Sequence, residues 1–402
     1  MTKGKLDFET RAIHAGIGEA GDYRPTAPAI YPSTTYVYED VSQIHASLDP
    51  MGTGFVYSRN ANPTVRALEK ALASLEETEE ALAFASGMAA IHAAILGTGI
   101  KPGQAILAAK QLYGGSKSLL NSFFRDLGFG IDLVDTTDVD KVEAHLAVGD
   151  AGVLLFEPVS NPLLTVADVP ALIEVAHRHS VSVVVDNTFA SPYLLRPAGL
   201  GADFVVESAT KYLGGHGDVM AGIVACNREN ATGIKNLRTA TGGILGPFEA
   251  WLVLRGIRTL ALRVPRHCSN ALALATWLST RPEVLRVHYP GLSEDPGYAI
   301  ANRLFPVGLA GGMLSFETDL DIAGVDTFLA ALKLAVLGPS LGDVETLVLH
   351  PAQSSHRALT REERAELGIA DGLLRVSVGL ESPNDIIADF DRAFHIVFRG
   401  GR

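Results

Sequence analysis

Hydrophobic and polar positions divide the chain into stretches with different rhythms. Up to about residue 62, proline, tyrosine, threonine and glycine interrupt every apolar run, as in YRPTAPAIYPSTTYVYED and DPMGTGFVYSRNANPT. Prolines remove backbone donors and fix φ, which excludes long helices and predicts an extended arm with short turns. From Pro63 the spacing becomes helical, in TVRALEKALASLEETEE, and passes into a short apolar strand, ALAFASG. The runs QAILAA, GIDLVD, GVLLFEPV, VSVVVDNT and ADFVVES are β-prone and bounded by Gly, Pro or Asp. Helical patterns such as VPALIEVAHRHS lie between several of them. Alternating strands and helices predict crossover units in an α/β fold with a mostly parallel sheet. Near-continuous apolar runs predict strands covered on both faces. A long helical stretch follows, GPFEAWLVLRGIRTLALRVPRHCSNALALATWLST, with a kink or break expected at Pro265. Beyond it, GGMLSFETD, LLRVSVG and IADFDRAFHIVF predict a smaller α+β domain. The expected division is an arm over residues 1–62 that packs on a neighbouring subunit, a large domain over 63–260 and a C-terminal domain over 261–402.

Composition narrows this picture. The chain has 402 residues, of which 47% are hydrophobic and 19% charged, enough apolar content for a large core and too little charge for long disordered stretches. Its net charge is −12 with Lys and Arg scattered, which argues against a nucleic-acid partner. Only Cys226 and Cys268 are present, outside any metal-type spacing, so a reducing compartment and no disulfide framework are expected. The opening MTKGKLDFETRAIHAG lacks the apolar centre of a signal peptide, and no run is long enough to span a bilayer. A cytoplasmic protein without membrane contact is therefore expected. The HRHS stretch at His177 suits a solvated helix face better than a metal site, and no metal is expected.

Chemistry gathers at the ends of the predicted strands, where open α/β sheets place their ligands. Ser86, Gly87 and Met88 lead from a strand into a helix, a backbone arrangement suited to an anion and also to an ordinary tight turn. Asp186 ends a strongly apolar strand, where a carboxylate is costly unless a cation or donors meet it. In SATKYLGGHGD, Ser208 and Thr210 offer hydroxyls and Lys211 sits at the mouth of the sheet, where burial or a nearby cation lowers the pKa of an amine. Glu157, Ser160 and Asn161 stand at a fourth strand end. A lysine for a Schiff base, an acid for a pyridinium nitrogen and donors for a phosphate are what pyridoxal phosphate needs.

The ordered series YSRNANPT, ASGMAA, LYGGS, FEPVSNP, DNTFASPYLLRP, SATKYLGGHGD, RGIRTLALR, SLGDVETLVLHPA and LLRVSVGLE resembles the Cys/Met-metabolism pyridoxal-phosphate enzymes over nearly the whole chain. That family comprises cystathionine γ-synthase, cystathionine β- and γ-lyases, methionine γ-lyase and the O-acylhomoserine sulfhydrylases. The resemblance implies a pyridoxal-phosphate-dependent transferase-like fold of type I, similar to aspartate aminotransferase, with the cofactor on the large domain. It implies that Lys211 holds the cofactor and shuttles protons, that Asp186 pairs with its ring nitrogen, and that Ser86, Gly87, Met88, Ser208 and Thr210 bind its phosphate. Tyr57 and Arg59 would reach the phosphate in a neighbouring subunit, within a homotetramer built from two dimers with shared sites. Tyr113 would stack over the ring and act as an acid–base group. Arg375 would clamp the carboxylate of an amino-acid substrate, helped by Asn161, Ser340 and Glu157.

These residues serve both elimination and replacement at the γ-carbon. Methionine γ-lyases typically carry Cys two positions after the tyrosine, where this chain has Gly115, and a Lys-Asp pair where it has Arg238-Thr239. Those differences argue against strict methionine specificity. Pro339 stands where animal-type cystathionine γ-lyases have Glu, and Gln353-Ser354-Ser355-His356 replaces the family's more usual run after HPA. SLGDVETL and RGIRTLALR look closer to the γ-lyase branch. The expectation is α,γ-elimination on cystathionine, homocysteine or methionine; the alternatives are γ-replacement on an O-acylhomoserine, or a non-catalytic binding protein on the same fold.

Overall fold

A computed structural model describes residues 6–16, 25–48, 54–357 and 359–399. The predicted arm therefore falls partly on residues 1–5, 17–24 and 49–53, outside the described residues, as do 358 and 400–402. Among the described residues of the arm, two short helices form, Phe8–His14 and Val41–Leu48. The arm ends where the side chain of Asn62 caps helix Pro63–Glu76, accepting from the N–H groups of Thr64 and Val65, with proline at the first helical position. Proline there has no donor to waste, and the cap satisfies two of the helix's free N–H groups.

The large sheet contains seven strands in the order β1-β7-β6-β5-β4-β2-β3. These are β1 (Glu80–Phe84), β2 (Ala105–Ala109), β3 (Gly130–Val134), β4 (Ala151–Phe156), β5 (Ser182–Asp186), β6 (Phe204–Glu207) and β7 (Gly222–Cys226). Pairing is parallel from β6 through β5, β4 and β2 to β3, and β7 runs antiparallel to both β1 and β6. Strand β7, read from AGIVAC, was not among the expected runs; it follows a glycine-rich turn and runs antiparallel to both its neighbours. Every residue of β2, β6 and β7 is buried, as cover on both faces requires.

The helical stretch after the large sheet breaks between Pro247–Ile257 and Leu260–Leu278, at Arg258 and Thr259. Pro265 lies inside the second helix rather than at its break. Its missing N–H removes only one helical bond, and Val264, His267 and Cys268 are buried around it, so packing outweighs that loss. A second sheet has five strands in the order β10-β11-β12-β9-β8: β8 (Val284–His288), β9 (Met313–Thr318), β10 (Val336–Leu337), β11 (Leu347–Leu349) and β12 (Leu373–Ser377). Helix Pro383–Phe394 buries Ile386, Phe390 and Phe394 among the aromatic rings of Phe316 and Phe328.

Candidate active site

Four chain segments leave the large sheet together and carry polar groups to one rim. Asp186 is the last residue of β5 and is buried, 8% exposed. Its Oδ1 accepts from the N–H of Thr188 at 3.2 Å and the hydroxyl of Thr188 at 2.6 Å. The same hydroxyl accepts from the N–H of Ser208 at 2.8 Å, so Thr188 ties the end of β5 to the end of β6. Neither bond reaches Oδ2. Burial raises the Asp186 pKa despite these donors. Charge-assisted hydrogen bonds are worth about 1.5–3 kcal/mol each, less than the several kcal/mol of desolvating a carboxylate. A cation at Oδ2 would reverse that balance.

Lys211 lies in the turn after β6. Its Nζ donates to Oγ of Ser340 at 3.0 Å. Burial lowers its pKa, Asp343 opposes the shift and Arg375 adds to it. The segment that follows is held from outside by Arg263, whose guanidinium donates to the carbonyls of Tyr212 at 2.7 Å and Gly256 at 2.8 Å. Gly215, at φ +72°, passes so close that a Cβ there would stand 2.0 Å from Nη1 of Arg263. The glycines after Lys211 therefore admit a guanidinium beneath the turn.

Ser86 caps helix Gly87–Gly97 through the N–H of Ala89 at 3.2 Å, leaving the N–H groups of Gly87 and Met88 without intrahelical acceptors. A Cβ on Gly87 would stand 2.9 Å from Cβ and 3.0 Å from Oγ of Ser208, so helix start and serine share one small concavity. Thr210 is engaged elsewhere: its hydroxyl accepts from the N–H of Ala221 at 3.0 Å and faces that residue's carbonyl at 3.3 Å.

Glu157 follows β4 and accepts from the N–H of Tyr113 at 2.7 Å through Oε1; its buried Oε2 has no partner. Burial, and secondarily the Asp186 carboxylate, push its pKa well up. It holds the backbone of Tyr113, a residue that remains 47% exposed. From the second sheet, Arg375 in β12 donates to Oδ1 of Asn161 at 3.1 Å and to the carbonyl of Ser340 at 3.0 Å, while its buried Nε is unpartnered. Burial lowers its pKa to about 10, which leaves it a cation at neutral pH.

Lys211, Ser340, Arg375 and Asn161 thus form one bonded chain, and Asp186, Thr188 and Ser208 a second. Tyr57 and Arg59 join neither. Tyr57 is 45% exposed, and Arg59 lies 5.8 Å over its ring and donates to the carbonyl of Thr239 at 3.1 Å. Arg238 is buried against Glu69 at 2.5 Å and the carbonyl of Ala83 at 2.9 Å. Its role among the described residues is to anchor β1.

Thr188, Asp343 and Arg263 were not singled out from the sequence. Burial raises the pKa of Asp343 while Lys211, Ser340 and Gly217 oppose the shift, and its buried Oδ1 is unpartnered. All three sit inside or beside the motif stretches, but nothing in those stretches marks their distant partners.

The family described as Cys/Met metabolism PLP-dependent enzyme matches residues 9–395. An L-methionine gamma-lyase of Fusobacterium nucleatum subsp. nucleatum is 41% identical over 98% of this chain and 99% of its own. Among solved structures, a cystathionine gamma-lyase from Lactobacillus plantarum complexed with L-serine is 36% identical with TM-score 0.90, covering 98% of this chain and 99% of that one. A cystathionine gamma synthase from Xanthomonas oryzae pv. oryzae, in complex with aminoacrylate and cysteine, is 36% identical with TM-score 0.89, covering 96% and 97%. The chain belongs to the Cys/Met-metabolism enzymes and depends, as they do, on pyridoxal phosphate.

Proposed function

We propose that the chain performs α,γ-elimination on a sulfur amino acid, cystathionine, homocysteine or methionine, releasing a thiol, 2-oxobutanoate and ammonia. The observation that carries this reading is Ser340, which takes Lys211 on its hydroxyl and Arg375 on its carbonyl, each at 3.0 Å. A carboxylate gripped by Arg375 brings the adjacent α-carbon to Lys211.

The residues fit the cofactor. Oδ2 of Asp186 accepts from neither Thr188 donor, as a carboxylate reserved for a protonated ring nitrogen would require. The concavity between Gly87 and Ser208 offers two backbone donors and a hydroxyl to a phosphate. When bound, pyridoxal phosphate supplies the electron sink that weakens bonds at the substrate's α-carbon. Lys211, its pKa lowered by burial, is suited to remove the α-proton and return it along the chain. Tyr113, at the open mouth, is placed to give a proton to the departing sulfur. Arg375 and Asn161 orient the carboxylate, and Glu157 holds the Tyr113 backbone. Water completes the release of 2-oxobutanoate and ammonia.

Tyr57 and Arg59, exposed and unbonded to the Lys211 chain, serve in this reading the site of a neighbouring subunit within a homotetramer. The division into arm, cofactor-binding domain and C-terminal domain at residues 62 and 260 is supported by the sheets, which lie within 80–226 and 284–377. A cytoplasmic location is supported by two buried free thiols. Among the described residues, no helix is long and apolar enough to cross a membrane.

The test is a substrate panel. Cystathionine, homocysteine and methionine supplied without any thiol should each be assayed for 2-oxobutanoate and ammonia. Product from O-acylhomoserine plus cysteine or sulfide, with none from the panel, would replace elimination by γ-replacement.

A further inference from the structure

Behind the rim, two fully buried glutamates face one asparagine. Glu76 ends helix Pro63–Glu76, Asn187 follows Asp186 at the end of β5, and Glu207 ends β6 just before Ser208. Nδ2 of Asn187 donates to Oε1 of Glu207 at 3.0 Å and to the carbonyl of Leu195 at 3.0 Å, and approaches Oε1 of Glu76 at 3.4 Å. The exposures of Glu76, Asn187 and Glu207 are 0%, 0% and 1%. The nearest cation, Arg196, pairs with Glu77 at 3.4 Å and is half open to solvent; Glu77 is also bound by Arg11. Asp186 is the remaining charged group acting on Glu207.

We infer that Glu76 and Glu207 share a proton across Asn187, forming a neutralised latch that fixes the ends of β5 and β6 and so sets Asp186 against Ser208. Two ionised carboxylates in one dry pocket repel strongly, and one amide cannot offset both charges. With one proton kept, Glu207 donates to Glu76 and the pair becomes a hydrogen bond. Buried behind the rim, the residues act by position. This deepens the proposed function only in its consequence for the cofactor; the shared proton stands independently of it.

Burial raises Glu76 to about 7 from an ordinary value of 4.5, and Glu207 well above it. The unfolded chain releases both carboxyl protons near 4.5 while the fold keeps the shared one, so the pair makes stability fall as pH rises from there through about 7.

Infrared spectra at pH 6 should show a protonated-carboxyl carbonyl band that Glu207→Gln removes and Glu76→Gln shifts, whereas Glu157→Gln removes a different band. The thermal midpoint should fall more steeply with pH in the wild type than in Glu207→Gln. Titration of the apo protein with pyridoxal phosphate, read at the visible absorption band, should give about a tenfold weaker Kd for Glu207→Ala and less than a twofold change for Glu207→Gln. Spectra insensitive to both glutamine variants, with parallel pH curves, would overturn the shared proton. Equal affinities in Glu207→Ala and wild type would overturn the latch while leaving the proposed reaction intact. If Glu207→Ala fails to fold, rescue of folding by Glu207→Gln supports the latch, and failure of both, together with a band that Glu76→Gln leaves unshifted, overturns it.

Discussion

The two sheets contribute to the site in opposite ways. The seven-stranded sheet places Asp186, Glu157, Ser208 and Lys211 at or just beyond strand ends, where the backbone leaves its ladder and side chains turn to one rim. The five-stranded sheet supplies Arg375 from within β12, paired with β11 on one side and β9 on the other. Strand ends tolerate turns, caps and close approaches, so they collect several weakly constrained groups. A mid-strand position is fixed by both neighbours and suits a single rigid clamp. The difference suggests that chemistry resides on the first sheet and substrate orientation on the second.

That division is most sharply broken by removing Lys211. Lys211→Ala should abolish the cofactor's visible lysine-linked absorption band and lower turnover by roughly 10⁴-fold or more, an effect on chemistry itself. Retention of both band and turnover would move the reaction away from this rim. Arg375→Ala should leave the band in place and reduce kcat/KM by roughly 10²–10⁴-fold, since breaking a buried charged clamp costs about 3–5 kcal/mol. Loss of the cofactor instead would show that the second sheet supports the cofactor as well as the substrate.

Ser340 joins the two sheets. Ser340→Ala should reduce turnover by about tenfold, as loss of one hydrogen bond to a charged group predicts. Because burial lowers the Lys211 pKa, the rate of cofactor uptake by the apo protein should rise with pH and reach half its maximum below the ordinary lysine value of 10.5. A midpoint at or above that value would mean that Lys211 is solvated. The smallest effect expected is at Gly115, where a Cβ would stand 2.5 Å from the Tyr113 ring and 3.2 Å from Sδ of Met88. Gly115→Ala should displace the ring and alter the ratio of kcat/KM for methionine and cystathionine by a few-fold. An unchanged ratio would separate the ring's position from substrate choice.

Much of this was legible from residue order. Alternating apolar strands and helices indicated the parallel sheet, and SATKYLGGHGD, DNTFASP and LLRVSVG carried Lys211, Asp186 and Arg375. Those readings rest on local pattern, which neighbouring residues determine. Strand β7 was missed because its antiparallel place between β1 and β6 is a matter of sheet order, and of the kink or break expected at Pro265 no break forms, because burial on both sides outweighs one lost backbone bond.

By itself, the sequence determined most of the strands and helices and the cofactor, and it marked the proposed lysine, acid and clamp, because strand pattern, turn residues and ordered motifs are properties of short segments. Only the tertiary structure decided which groups are paired and which are left waiting. Thr188 binds residues 2 and 20 positions away, Ser340 meets Lys211 across a separation of 129, and Asn187 lies 111 residues from Glu76. Charge state in a protein interior depends on burial and on such distant partners, and both arise only when the sheets close on one another.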